Sequence, residues 1–368
     1  MKVIAQTAAL QEALALAGSI VATRTPKPVL QCIKMVAGGG VLTLLATDLE
    51  AGCRCQVTAV EVAEEGEALV PADRLAGIVR ESSDEESLTL QTEKEACLVR
   101  GAGIRFKVFG YDPAEYPPVA EFDQKADFAV PAAQLANMIN KTLFATAKTH
   151  SHYAFSGVLW EAKGKKLQLV ATDGHRLAQV KGTLSKAAGD VTAIVPTKLM
   201  ALVQRVCSDG EEVLEVKVHQ NQILVRTARA VLVSSLVQGN FPKYEDVIPR
   251  DCSRKARIQT AQLEHRVRQA ALLTNEESKG VRLSFQSDTL TLSSRAPEAG
   301  EAEVTCPIKL EGEPLEAAFN PAFMLDALRV VGAEEISFEM DSPTKPAVLR
   351  AGSDFLYVLM PLDLSSRA

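Results

Sequence analysis

The sequence repeats one pattern three times, and this repeat restricts the possible folds more than any other feature. Each copy has an amphipathic helix, a set of strands, and a second helix that starts at a proline. The three prolines are Pro71, Pro196 and Pro321, so consecutive copies lie 125 residues apart. Proline suits the first turn of a helix, where its missing N–H has no partner to lose. The period is too long for a solenoid unit and indicates three tandem domains.

Helices are predicted where apolar residues recur at helical spacing, and strands where they alternate with polar residues. The predicted helices cover 7–24, 72–82, 132–148, 197–208, 261–274 and 320–331. Each copy then has the predicted order β–α–β–β–β–α–β–β–β, which is an α+β fold with antiparallel sheets. Proline-containing polar stretches at 111–118 and 239–249 are predicted linkers. The predicted domains are 1–120, 127–250 and 253–368.

Composition excludes several classes of protein. No stretch of eighteen apolar residues occurs, so no membrane span is expected. Gln6, Gln11 and Glu12 interrupt the apolar start of the chain at helical spacing, which argues against a secretion signal. The seven cysteines are odd in number and scattered. They therefore predict reduced thiols and a cytoplasmic protein.

The net charge of the chain argues against nucleic-acid binding, whereas the distribution of the charges favours it. The net charge of −6 argues against a DNA-binding domain, which is usually basic. The predicted helices, however, carry ten basic and five acidic residues. Helices tolerate lysine and arginine well, which alone explains some of the excess. The alternative interpretation is that the helices face phosphate while the acidic sheets face outward.

Enzyme interpretations find little support in the motifs. Asp173 and His175 are near neighbours on a predicted turn, and Asp48 repeats Asp173 without the histidine. Each aspartate is therefore predicted to cap a turn. The glycines at 38–40 lack the lysine and helix of a phosphate loop and indicate a hairpin. The five histidines include no metal-spaced pair on one helix. No catalytic residue, metal or cofactor is expected.

Four segments resemble the bacterial DNA polymerase III beta subunit, and the resemblance covers essentially the whole chain. They are ATDGHRLA at 171–178, NFPKYEDVIP at 240–249, the segment 275–283, and YVLMPL at 357–362. The resemblance implies a head-to-tail homodimeric ring that encircles double-stranded DNA. It also implies partner proteins: the replicative polymerase, the clamp loader, and other polymerases and repair proteins that dock through short motifs. A repeat-built interaction scaffold that does not encircle DNA is the alternative.

The resemblance also implies two sets of site residues. A cleft for partner peptides, between the second and third domains, maps to Phe155, Thr172, Gly174, His175, Arg176, Leu177, Pro242, Val247, Val358, Met360, Pro361 and Leu362. DNA contacts map to Arg24, Arg74, His150, Tyr153, Lys198 and Asn320. The chain departs from the family pattern at Phe155, Glu245, Asp246, Ser278 and Asp363. The three acidic departures predict a cleft that prefers peptides with fewer acidic residues.

Overall fold

A computed structural model describes residues 1–148, 153–207, 212–274 and 280–362. Within these residues the chain forms six α-helices. They are α1 (Thr7–Gly18), α2 (Ala72–Glu81), α3 (Ala132–Asn140), α4 (Thr197–Val206), α5 (Thr260–Ala270) and α6 (Pro321–Leu328). Each copy contributes two helices, as the repeat predicts. His150, Ser278 and Asp363 lie outside the described residues.

The strands fall into the same three copies. The first copy contains β1 (Lys2–Gln6), β2 (Cys32–Gly38), β3 (Val41–Thr47), β4 (Ala51–Val57), β5 (Val60–Glu64), β6 (Gly66–Pro71), β7 (Ser87–Glu93), β8 (Ala96–Arg100) and β9 (Arg105–Phe109). The second contains β10 (Phe128–Pro131), β11 (Gly157–Thr172), β12 (Arg176–Pro196), β13 (Val213–Val218), β14 (Gln222–Arg226) and β15 (Ala230–Ser235). The third contains β16 (Arg254–Gln259), β17 (Val281–Phe285), β18 (Thr289–Ala296), β19 (Gly300–Pro307), β20 (Lys309–Glu311), β21 (Leu315–Phe319), β22 (Glu335–Met340), β23 (Ala347–Ala351) and β24 (Phe355–Leu359).

The described residues form two compact units. The first unit comprises 1–133, 184–189 and 198–236, and the second comprises 134–183, 190–197 and 237–368. In the first unit one sheet has the order β5-β1-β7-β8-β9, and another runs through β10-β13-β14-β15-β4-β3-β2-β6. The second unit contains β20-β16-β22-β23-β24-β12 and the smaller sheet β19-β18-β17-β21. Helices α1 and α2 pack on each other in the first unit, and α5 and α6 do so in the second.

The α+β prediction is confirmed, but the strand count between the two helices of a copy is wrong. The first and third copies have five strands there instead of three. In the second copy β11 and β12 are single strands of 16 and 21 residues. Gly164, which lies 125 residues after Gly39, has a φ of +55°, so the extended run of β11 still turns where the first copy has the hairpin between β2 and β3.

Three helices end four or more residues earlier than the apolar pattern predicts. Helix α1 ends at Gly18 and not at residue 24, because the Ser19 hydroxyl donates to the Leu16 carbonyl at 2.6 Å and closes the last turn. Helix α3 ends at Asn140 and not at 148, and the chain continues in a 3-10 turn at Leu143–Ala145. Helix α5 likewise passes into a 3-10 turn after Ala270.

One local prediction from the sequence, the glycine hairpin, is confirmed. The hairpin between β2 and β3 turns at Gly39 and Gly40, whose φ angles of +59° and +78° suit glycine. Cys53 and Cys55 are both buried on β4. All seven cysteines are free.

Candidate functional site

A tight turn between β11 and β12 presents several residues of the predicted peptide cleft. The Thr172 hydroxyl donates to the carbonyl of Arg176 at 2.7 Å and accepts from the N–H of Gly174 at 3.1 Å. The Asp173 carboxylate accepts from the N–H groups of His175 and Arg176 at 3.0 and 3.1 Å. Gly174 has a φ of +90°, which a residue with a side chain adopts only with strain. Asp173 therefore caps the turn, as the sequence predicts.

Arg176 lies beneath this turn, and its guanidinium is engaged on every side. It donates to Asp173 Oδ2 at 2.9 Å, to Asp326 Oδ2 at 2.7 Å and to the carbonyl of Phe144 at 2.8 Å. The Phe323 ring centroid lies 4.3 Å from the guanidinium carbon. Burial by itself would lower the pKa of Arg176, but the hydrogen bond with Asp326 and nearby charges raise it overall. Arg176 thus stays charged although it is buried.

An apolar cluster in the second unit adjoins the turn. Its buried members are Leu159, Val170, Leu177, Ile194, Tyr244, Val348, Leu356 and Val358. The partly buried residues that pack against it are Ala154, Val237, Phe241 and Ile248. Leu177 stands opposite Val358 in the ladder between β12 and β24. The structure therefore brings together cleft residues predicted from the second and third copies.

Two apolar side chains remain exposed where the chain leaves this cluster. Val247 is 49% exposed and Met360 is 40% exposed. The N–H of Met360 donates to the carbonyl of His175 at 3.0 Å, which holds Met360 beside the turn. Leu362 is held in the same way by the carbonyl of Ala318 at 2.7 Å. Exposed apolar groups beside a buried cluster are typical of an interaction surface.

All twelve predicted cleft residues lie in the second unit, but at different depths. The exposed ones are Gly174, His175, Pro242, Val247 and Met360. Phe155, Pro361 and Leu362 are partly exposed, whereas Thr172, Arg176, Leu177 and Val358 are buried. The exposed set can touch a peptide directly, and the buried set forms the support beneath it.

The linker contributes aromatic residues that the sequence analysis did not name. The Phe241 ring lies edge-on to Phe155 and Tyr244, with centroids 6.5 and 6.3 Å apart. The Tyr244 hydroxyl donates to Glu161 Oε2 at 2.7 Å. Burial and then Glu161 raise the pKa of Tyr244. The sequence did contain a signal for these residues, because Phe241 and Tyr244 lie on either side of the predicted cleft residue Pro242.

The exposed residues next to Tyr244 give this part of the linker a negative charge. Glu245 and Asp246 lie on the short 3-10 helix Tyr244–Val247, and both are exposed. Lys243, just before this helix, is exposed as well. The three side chains together carry one net negative charge.

The predicted DNA contacts occupy different kinds of position. Arg24 is exposed in the loop after α1. Arg74 is exposed on α2, with its Nε 3.7 Å from Asp73. Lys198 on α4 forms an ion pair with Asp48, so its ammonium is not free.

Two other predicted DNA contacts, Asn320 and Tyr153, belong to the second unit. Asn320 caps α6, since its side-chain oxygen accepts from the N–H of Ala322 at 2.9 Å. His150 lies outside the described residues, and Tyr153 begins the 3-10 helix Tyr153–Ser156.

The basic excess predicted for the helices lies mostly beyond their ends. Within the bounds of the structure, the helices hold six basic and five acidic residues. Lys141 and Arg329 directly follow helix C-termini, where the helix dipole favours a cation, whereas Arg24 and Lys148 lie six and eight residues beyond the ends of α1 and α3. Lys141 is buried against the ring of Phe355, so it cannot face phosphate. The helices themselves are therefore nearly neutral.

None of the helices in the described ranges is long and apolar enough to cross a membrane. Among the same residues, no three His, Cys, Asp or Glu side chains are placed to hold a metal ion.

Sequence profiles of one family match almost the whole chain. The N-terminal, central and C-terminal domains of the DNA polymerase III beta subunit match residues 1–120, 129–243 and 245–363. The beta sliding clamp of Pseudomonas aeruginosa is 31% identical over 98% of this chain and 99% of its own length. That of Escherichia coli K12 is 30% identical over 93% of this chain and 94% of its own.

Solved structures agree with these matches. The DNA polymerase III subunit beta of Pseudomonas aeruginosa superposes with a TM-score of 0.93 at 31% identity, covering 99% of this chain and all of the other. The sliding clamp of Bacillus subtilis, at 24% identity and a TM-score of 0.95, covers 99% of both chains and shows the same fold. The chain therefore belongs to the DNA polymerase III beta subunit family, the beta sliding clamps, and is a non-catalytic processivity factor built from three clamp domains.

Proposed function

We propose that the chain closes with a second copy of itself into a ring around duplex DNA and tethers partner proteins through the cleft in its second unit. One observation carries the proposal: the same strand pairing joins successive copies. Strand β15 pairs with β4, with Ala230 opposite Cys55. Strand β24 pairs with β12, with Phe355 opposite Val180. Both residues of the second pair lie 125 positions after those of the first, so the register is identical.

The strand pairing between successive copies leaves one edge strand in the first copy and one in the third as candidates for pairing with another chain. Strand β9 begins 125 residues before β15 and is the edge of its sheet in the described structure. Strand β19 holds, in the third copy, the place of β4 and β12, and is also an edge there. Head-to-tail contacts of this kind close into a ring when the rotation allows. Pairing of β9 with β19 of another copy would join six domains in one ring.

Apolar side chains support this interface. Phe106 and Phe109 on β9 are 41% and 76% exposed. Leu272, in the 3-10 turn that packs against β19, is 78% exposed. An exposed edge strand with large apolar side chains invites pairing with another chain. Covering both edges would remove these side chains from water.

Charges on the two edges are complementary. Arg105 and Lys107 are exposed on β9, whereas Glu301 and Glu303 are exposed on β19. In the single chain Lys107 contacts Glu93 at 3.0 Å, and Glu301 contacts Arg295 at 3.2 Å. Such exposed pairs are worth little, so both edges can exchange them for partners across the interface.

Charge reversal tests the interface. Arg105→Glu with Lys107→Glu, or Glu301→Lys with Glu303→Lys, should each give monomers in sedimentation velocity runs. A chain that carries all four changes should form dimers again, because both edges are reversed together. Lys165→Glu with Lys166→Glu, at an exposed site on β11, is the control and should stay dimeric. Dimers in both double variants would refute the pairing.

DNA is proposed to be held by topology and not by affinity. A closed ring needs only weak, sequence-independent contacts, which suits a chain of net charge −6 with scattered basic residues. The protein loaded on a nicked circular plasmid should remain bound during gel filtration and should leave when the plasmid is linearised. A scaffold that does not encircle DNA would show no effect of linearisation.

The partners proposed for the cleft are the replicative polymerase, the clamp loader, and other polymerases and repair proteins that dock through short linear motifs. Met360 supports this, since a flexible thioether can repack around several partners. Isothermal titration with polymerase-derived peptides tests the assignment. Replacing Val247 and Met360 with serine should remove binding while the dimer persists.

The domain limits and the cellular location are part of the same proposal. The limits proposed are 1–120, 127–250 and 253–368, supported by the strand pairings between copies. A cytoplasmic location is proposed from seven free cysteines.

A further inference from the structure

Two turns in the chain share one structure, and each is tied to the second helix of the next copy. In the first turn the Thr47 hydroxyl donates to the carbonyl of Ala51 at 2.8 Å, and Asp48 accepts from the N–H of Ala51 at 2.7 Å. The carboxylate of Asp48 also binds the ammonium of Lys198 on α4. The tie in this turn is therefore one aspartate and one lysine.

The turn at 172–176 is tied in a different way. Arg176 stands where the first turn has Ala51, so the cation comes from the turn itself. Helix α6 supplies the anion, Asp326, to its guanidinium at 2.7 Å. The Phe323 ring of the same helix covers the guanidinium at 4.3 Å. The turn of the proposed cleft is thus fastened to α6 by charge and by an aromatic face.

We infer that Asp326 is a positioning residue of the peptide cleft: by holding Arg176, it fixes the turn and the strand end to which partner peptides bind. The inference rests on the proposed function of the cleft. Asp326 itself belongs to none of the predicted cleft residues, and its side chain reaches the cleft only through Arg176.

The contacts of Arg176 explain how a change at Asp326 alters the exposed part of the cleft. Its neighbour His175 accepts the hydrogen bond from Met360 N–H, so a shift of the turn also moves the exposed methionine. Its other neighbour is Leu177, which packs against the apolar cluster. The buried guanidinium of Arg176 therefore fixes both the turn beside the exposed Met360 and the position of Leu177 in the apolar cluster.

Loss of Asp326 would leave this guanidinium with one carboxylate, Asp173. A buried cation that loses a hydrogen-bonded partner relaxes toward water or toward its remaining acceptors, and either movement displaces the turn. A charge-assisted hydrogen bond of this kind is worth enough to weaken peptide affinity by about tenfold if the bound geometry depends on it.

Asp326→Asn tests the inference in the full-length dimer. Fluorescence anisotropy with a labelled polymerase-derived peptide should give a Kd about tenfold above wild type. The Met360 methyl signal in an NMR spectrum of the free protein should move, whereas a merely stabilising role would leave it in place. Asp326→Glu, which keeps the carboxylate, should recover part of the affinity.

The first turn provides the matched control. Asp48→Asn removes the corresponding tie outside the second unit and should leave both the peptide Kd and the Met360 signal unchanged. If Asp326→Asn does not fold, Phe323→Leu takes its place, because it removes the ring over Arg176 and keeps an apolar side chain.

The outcomes separate this inference from the proposed function. If the wild-type protein binds no polymerase peptide, the proposed cleft is wrong. If the wild type binds and a folded Asp326→Asn or Phe323→Leu variant binds equally well with an unmoved Met360 signal, the positioning role is overturned.

Discussion

The ammonium of Lys198 binds the carboxylate of Asp48 and lies 3.4 Å from the carbonyl oxygen of Ile20. A residue predicted to contact phosphate is therefore already neutralised within the protein. Burial by itself would raise the pKa of Asp48, but the hydrogen bonds from Lys198 and from the backbone lower it overall. The pair stabilises the turn that ends β3, and its effect depends on pH.

Asp48→Asn should lower stability at neutral pH and not in acid. The pKa of Asp48 is lower in the folded than in the unfolded state, so its stabilisation is complete above the unfolded pKa and is lost as the pH falls through the folded pKa. Since Lys198 is partly exposed, the difference should be about 1 kcal/mol at pH 7. Urea unfolding of both proteins between pH 3 and pH 7 measures it. A constant difference across this range would contradict the prediction.

Arg24 and Arg74 should matter more for DNA than Lys198, because both are exposed while Lys198 is paired. Arg24→Glu with Arg74→Glu should shorten retention on circular plasmid, whereas Lys198→Gln should have a smaller effect. Each lost phosphate contact should also reduce the salt dependence of binding by about one ion. Lys165→Glu with Lys166→Glu serves as the control. Equal retention of the arginine variant and wild type would place these arginines away from DNA.

The sequence predicts the fold well where a local pattern determines it. Three prolines at one spacing and the Thr-Asp turns give the domain count, the six helices and the capping role of Asp173. It fails where a single side-chain contact decides, as at the C-terminus of α1, where the Ser19 hydroxyl donates to the carbonyl of Leu16. The apolar pattern continues past the end of α1 and therefore does not predict where the helix ends.

In the candidate site, the local sequence identifies residues, but contacts with distant residues decide whether their side chains are exposed and free. Position in a motif identifies Arg176, but its burial depends on Asp326, which lies 150 residues away in sequence. Lys198 has the same limitation, since its partner Asp48 belongs to another copy. The sequence therefore names the residues of a site better than it predicts which of them stay available to a ligand.

The buried thiols should be unreactive at neutral pH. Burial raises the pKa of Cys97 and of Cys32 to about 11, with a smaller contribution from Asp73 at Cys32. The pKa of each thiol is higher in the folded than in the unfolded state. The stability that comes from keeping these thiols protonated is therefore complete below the unfolded pKa and is lost as the pH rises through the folded pKa. Iodoacetamide at pH 8 should label both thiols in urea and neither in native protein. Labelling of Cys97 in native protein would mean that β8 opens.

The acidic linker side of the cleft should select against acidic peptides. Glu245 and Asp246 are exposed and directly precede Val247, an exposed apolar residue of the proposed cleft. The net negative charge of this segment repels an acidic peptide most at low salt, since screening weakens exposed charges. Glu245→Lys with Asp246→Lys should therefore strengthen binding of an acidic polymerase peptide by roughly tenfold at low ionic strength and leave a neutral variant of that peptide unaffected. Glu334→Lys with Glu335→Lys, at exposed positions just before and at the start of β22, changes the net charge equally and controls for the overall field of the protein. Titrations at two salt concentrations decide the question, because a gain in affinity that persists at high salt, or that the control shares, would mean that these carboxylates do not face the bound peptide.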